Sequence, residues 1–365
     1  MSRLAPLALG PLARRARRSL NGDHPGEVGI ALPPLVDHHV HLMLVGPSDG
    51  DGVDALARLV DGGLSGVVDL GAPLATVAPL RGRGMPRVDV AGPFLTAPGG
   101  YPIGRPWAPP GVAREVAVVE RRAALPSPVE TAVSELRAFG ASVVKVALNA
   151  TAGPVFDRAT LDAIVLSAHA HGLPVVAHVE GDGMSRLAIE AQVDALAHTP
   201  FTERLDDELV ERAVAQGQRW ISTLFVQGYG EATPDFERAV DNLARFHAAG
   251  GEVLYGTDLG NGEQPVGVHP AELAALVRAG LEASDLIAAL TDPWPRAAAV
   301  EGVATFVTGA PPTSIGEAPA WLARARVVPT EELEELGPTP YAGAPGSETS
   351  TGSETSAPFD RDVTA

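Results

Sequence analysis

Short apolar runs rich in Val alternate with helical stretches along most of this 365-residue chain, and that alternation admits few folds. The runs read as strands at 35–41 (LVDHHVH), 66–71 (GVVDLG), 87–95 (RVDVAGPFL), 142–148 (SVVKVAL), 174–179 (PVVAHV), 194–198 (DALAH), 219–224 (RWISTL) and 252–258 (EVLYGTD). Between them lie amphipathic stretches such as SPVETAVSELRAFG and DRATLDAIVLSAHAHG, several closed by a Gly suited to the left-handed C-cap. Eight strands alternating with helices over about 260 residues predict an α/β protein of the (β/α)8 TIM-barrel type. An open doubly wound sheet is the alternative. No Gly-rich phosphate loop follows the first strand, which counts against its nucleotide-binding forms.

Composition narrows the chemistry. The chain is 45% hydrophobic, enough for a sizeable core, and it has no Cys. Disulfides, Cys-ligated zinc, iron–sulfur clusters and a thiol nucleophile are therefore excluded. The formal charge is −18, which argues against nucleic acid or an anionic membrane as a general partner. Of 27 cationic residues, 26 are Arg and one is Lys, Lys145. Abundant Ala, Gly, Pro and Arg suggest a GC-rich coding bias, so the one retained Lys stands out.

The polar residues that interrupt the strands carry the argument. In a barrel, catalytic groups sit at the C-terminal strand ends. His39 and His41 share one face of the first strand, because side chains alternate. His38 points the other way and reads as structural. Lys145 lies mid-strand among valines, where a cation is costly to bury. The usual explanation is a carboxylate partner or a snorkelling side chain. Arg stays protonated, whereas a buried Lys can lose its proton and take up CO2 as a carbamate. His178, His198 and Asp258 end the fifth, sixth and eighth strands. Singly, each such His is more often a satisfied core residue than a ligand. Together the six positions suit two divalent metal ions, zinc first, with manganese, cobalt or iron as alternatives.

This set resembles the amidohydrolase superfamily of metal-dependent hydrolases. The resemblance rests on LPPLVDHHVHL, ASVVKVALN, AHAHGLPVVAHVEG, VDALAH, and VLYGTDLG followed by HPAELAALVRAGL. It covers nearly the whole barrel and is closest to the imidazolonepropionase-like and prolidase-like hydrolases. It implies that His39 and His41 hold one metal with Asp258, and that His178 and His198 hold the second. A carboxylated Lys145 and a hydroxide would bridge the two, and Asp258 would take the proton of the attacking water. The implied reaction is hydrolysis of a carbon–nitrogen bond in an amide, cyclic amide or N-acyl or peptidyl substrate. Tyr101, in GPFLTAPGGYP, stands where many members have His.

The ends depart from that pattern. Residues 1–34 read as a flexible basic arm with a residual sandwich strand, 35–303 as the barrel, and 304–336 as a closing segment. A reduced or partial β-sandwich is expected from the two ends. Residues 337–365 repeat GSETS and are expected to be disordered. Four Arg follow the short N-terminal apolar stretch, the wrong order for a secretory signal, so a cytoplasmic location is expected. The partner is a small-molecule substrate, and a homo-oligomer is compatible with the reduced sandwich. Tyr101 and His269 are candidate substrate contacts, although His269 could instead cap the helix near Pro270. The 96–125 loop is either a lid or an ordered surface loop. Competing functions are an ester, lactone or phosphotriester hydrolase on the same site, a mononuclear heterocycle deaminase, whose usual Glu spacing Glu180 does not match, and a non-catalytic metal-binding or scaffold protein.

Overall fold

A computed structural model describes residues 5–45, 53–117 and 127–337. The GSETS tail and residues 118–126 of the long loop lie outside the described residues. Among the described residues there are fifteen strands: β1 (Arg14–Arg18), β2 (Val28–Leu32), β3 (Val36–Val40), β4 (Gly66–Asp69), β5 (Arg87–Val90), β6 (Phe94–Thr96), β7 (Ala113–Glu115), β8 (Val144–Asn149), β9 (Val175–Glu180), β10 (Ala195–Leu196), β11 (Arg219–Ile221), β12 (Glu252–Leu254), β13 (Val303–Thr308), β14 (Arg326–Pro329) and β15 (Leu333–Glu335). They form a parallel sheet in the order β12-β11-β10-β9-β8-β6-β7, a parallel sheet β3-β4-β5, and an antiparallel sheet β14-β13-β2-β1-β15.

The parallel strands follow the apolar runs. All six residues of β8 are buried, as expected of a strand covered on both faces. Helices pack outside, with ends set by the chain's own punctuation. Ser127 accepts from the Glu130 amide at the start of one helix, and Gly140, at φ 88°, closes it. Asp157 and Asp206 cap two others through the amides of Thr160 and Leu209. The two parallel sheets also touch through backbone hydrogen bonds. Ser142 N–H donates to Val90 O at 2.8 Å, and His38 N–H donates to Tyr255 O at 3.0 Å.

Two sequence expectations need correction. The run 87–95 is two strands in different sheets, because Gly92 turns at φ 77° and Pro93 has no N–H to continue a ladder. The segment read as a flexible arm with one residual strand supplies two strands, β1 and β2. Ala16 is fully buried against Ala31, Phe306 and Val328. The flanking arginines meet the acidic β15 segment: Arg17 pairs with Glu334 at 3.7 Å, and Arg18 pairs with Glu332. The basic start of the chain thus finds its partner at the acidic end. That five-stranded sheet, built from both ends, is a partial counterpart of the expected sandwich. Among the described residues, no helix is long and apolar enough to cross a membrane.

Candidate metal centre

The strand ends converge on one cavity of about 410 Å³. His39 Nε2 and His41 Nε2 lie 3.3 Å apart, and Asp258 Oδ1 lies 3.2 and 3.3 Å from them. The other ring nitrogen of each His is tied down: His39 Nδ1 to Ala197 O at 2.8 Å, and His41 Nδ1 to Gly71 O at 3.1 Å. Those carbonyls fix the tautomer and aim Nε2 inward, the second contact expected of a metal-ligating His. Asp258 is buried at φ 56°, and its Oδ1 has no hydrogen-bond donor. An unpaired carboxylate oxygen facing two imidazole nitrogens fits a cation. Two glycines permit this approach. A Cβ on Gly256 would meet Ile221 and His39, and one on Gly71 would meet the Phe94 ring.

His178 and His198 complete the imidazole group. The His198 ring centroid is 4.7 Å from that of His39 and 5.0 Å from that of His178. Thr223 Oγ1 holds His198 Nδ1 at 2.9 Å. Burial, opposed by the Asp258 charge, lowers His198 to about 3. Lys145 is 1% exposed, with Nζ 5.7 Å from the Phe94 ring centroid. Burial pulls its ammonium down to about 7, against the raising effect of Asp258 and Asp69. Burial also opposes charge on His41, but the adjacent Asp258 carboxylate outweighs it and raises its pKa.

The remaining expectations divide. His38 is structural: its ring nitrogens face the carbonyls of Tyr255 at 2.8 Å and Asp292 at 3.0 Å. Tyr101 lines the cavity, its ring stacked on His178 at 5.2 Å between centroids. His269 does not line the cavity. Its Nδ1 accepts the Ala271 amide at 3.1 Å and caps the helix Pro270–Arg278. Trp107 also faces the cavity, so the described part of the long loop forms one wall.

Several supporting residues escaped the sequence reading. Asp69 accepts the amides of Leu42 at 2.8 Å and Gly71 at 3.1 Å, bracketing His41. Asp37 accepts from the amides of His39 and Thr257 and from the Thr257 hydroxyl, tying β3 to the GTD turn. Both acids stood in view inside apolar runs. Thr223, at φ 43°, and Asn261 lie in irregular segments and carry no such signal.

No protein-family model matches the sequence, and no curated protein matches it. Solved structures do. A Xaa-Pro dipeptidase with bound methionine in its active site has a TM-score of 0.65 at 20% identity, over 84% of this chain and 86% of its own. The A. niger ochratoxinase has a TM-score of 0.63 at 20% identity, over 86% and 85%. A structure described as an amidohydrolase has a TM-score of 0.61 at 18% identity, over 84% and 86%.

Proposed function

We propose, from the premise that the chain has an amidohydrolase-superfamily fold, that it is a metal-dependent hydrolase of a carbon–nitrogen bond in a small amide, cyclic amide, N-acyl or peptidyl substrate. The observation that carries this is the unpaired Asp258 Oδ1 between two Nε2 atoms. His39, His41 and Asp258 would hold one divalent ion, His178 and His198 a second, and Lys145, as a carbamate, would serve both. Bound cations supply a lowered pKa for water, polarisation of the scissile carbonyl and relief of charge in the tetrahedral intermediate. Strands β3, β4, β5, β8, β9, β10, β11 and β12 are read as one closed eight-stranded barrel, supported by the backbone contacts between the two parallel sheets, and a cytoplasmic location is proposed with it.

The chain's own residues do the rest. Asp258 stays ionised beside its imidazoles and can take the proton of the attacking water. Forming the carbamate joins Lys145 Nζ to the carbon of CO2 and releases a proton. Burial favours the neutral amine that this needs. Burial also raises Tyr101 above its ordinary value, so it remains a phenol, able to donate a hydrogen bond to substrate. Phe94 and Tyr101 wall the site and exclude water from one side.

Zinc-loaded protein should hydrolyse members of a matched amide and ester panel, with amides turned over at the higher kcat/KM. Faster turnover of the esters throughout would move the assignment to the ester or lactone class.

A further inference from the structure

Glu180 ends β9 at the cavity wall, and the proposed ligand set leaves it without a task. Its side chain is 28% exposed. Both oxygens are held in place. Asn149 Nδ2 donates to Oε2 at 2.7 Å, and Thr151 Oγ1 lies 2.8 Å from Oε1. The Thr151 hydroxyl also lies 2.7 Å from Asn149 Oδ1. It has one proton for two acceptors, so the carboxylate is fixed but not saturated. His178 Nε2 is 3.3 Å from Oε2, which places this anion directly beside the reacting centre.

The surroundings select against a second anion. Among the described residues lining the cavity, Lys145 is the only Lys or Arg, and it is assigned above to the metal centre. Arg105 approaches Tyr101, with its guanidinium carbon 5.9 Å from the ring centroid. That group donates to Ala152 O at 3.2 Å at the exposed surface and is not part of the cavity wall. Aromatic rings make up much of the remaining wall, with Leu44 and Val226 beside them. Tyr101 and Trp107 lie 6.0 Å apart between centroids, and Phe201 faces His198 at 6.4 Å. A fixed carboxylate with aromatic faces beside it is the chemistry that receives a protonated amine.

We propose that Glu180 is the anionic subsite for a protonated amine placed close to the scissile carbonyl, so that the substrate class is aminoacyl amides with a free amine and an apolar side chain. This deepens the hydrolase assignment above and rests on it. A charge-assisted hydrogen bond in such a site corresponds to a preference of at least about tenfold over the same molecule without the amine.

The test separates binding from turnover. Leucinol and 4-methylpentan-1-ol differ only in the amine, and neither can be hydrolysed. Calorimetry on the zinc-loaded protein should give leucinol the tighter binding by about tenfold or more, and Glu180→Gln should bring the two within about twofold. Glu180→Ala should do the same and replaces the glutamine variant should that one not fold. Equal binding of the two alcohols by the wild type overturns the proposal. So does an amine preference that survives both substitutions, because the amine would then be held by metal. The kcat/KM ratio of leucinamide to 4-methylpentanamide should follow the binding ratio. Failure to hydrolyse any amide would defeat the hydrolase assignment, and the alcohol pair would still decide on the subsite.

Discussion

Asn261 donates its side-chain amide to Asp258 Oδ2 at 2.8 Å, leaving Oδ1 as the oxygen that faces His39 and His41. The Asn261 backbone amide also bonds the Asp258 carbonyl at 2.9 Å, so the turn holds the carboxylate at two points. Tyr229 in turn donates its hydroxyl toward Asn261, 3.1 Å from its backbone oxygen and 3.2 Å from its amide oxygen. Partners of ligands commonly set metal affinity by about 10–100-fold. Asn261→Ala is therefore expected to weaken divalent-ion binding by about tenfold or more, read by competition with a chelator. Unchanged affinity would mean that backbone geometry alone orients Asp258.

On the proposed reading, Lys145 is the residue that would separate a two-metal centre from a one-metal centre. Wild-type protein prepared with bicarbonate and zinc is expected to carry about two ions per chain by mass spectrometry. Lys145→Arg keeps the positive charge but cannot become neutral, and so cannot form a carbamate. It should hold about one ion or none. A variant that still binds two would remove Lys145 from the centre and leave the imidazole sites standing.

The candidate site residues were legible because polar residues inside apolar strands are rare and strand periodicity fixes their faces. His39 and His41 two apart, and Lys145 among valines, needed no tertiary information. The break within 87–95 was also visible, in the Gly92-Pro93 pair. What could not be read were contacts between distant segments. Arg18 and Glu332 are 314 residues apart, and their opposite charges specify a pairing only once both ends lie on one sheet. Likewise, His269 at a strand-8 loop could face substrate or cap a helix. The placement of its Nδ1 over the Ala271 amide decides for the cap. Asn261 lies in a Gly-rich turn whose course depends on the positive φ of Asp258.

The outer packing offers a test independent of the site. Trp220 is fully buried and stacks on Phe246 with centroids 4.0 Å apart and rings 3° from parallel. Its indole N–H donates to Gln218 Oε1 at 3.0 Å. Trp220→Ala removes the stack and leaves a cavity, for an expected loss of about 3–5 kcal/mol. Urea unfolding followed by far-UV circular dichroism would measure it. A loss below about 1 kcal/mol would show that neighbouring helices collapse into the space.

Glu272 gives stability a pH dependence of known sign. The residue is fully buried, and its carboxylate accepts the amides of Leu224 at 2.9 Å and Phe225 at 2.6 Å. Burial raises it to about 7 from the ordinary 4.5, against the lowering effect of Ser222 and those two amides. The folded state therefore keeps a proton that the unfolded state releases between pH 4.5 and about 7. Stability from this group is fully present below pH 4.5 and is lost as the pH rises through about 7. Glutamine cannot titrate, so wild type minus Glu272→Gln reads the effect of Glu272, including the smaller part of the Asp37 shift that the Glu272 charge causes. Unfolding free energies measured across this range should show the wild type losing ground to the variant by up to about 3 kcal/mol. The gap should be constant above pH 8, once both states are ionised. A gap that stays flat from pH 4.5 to 7 would mean that Glu272 is already ionised in the folded protein, with the two amides outweighing its burial.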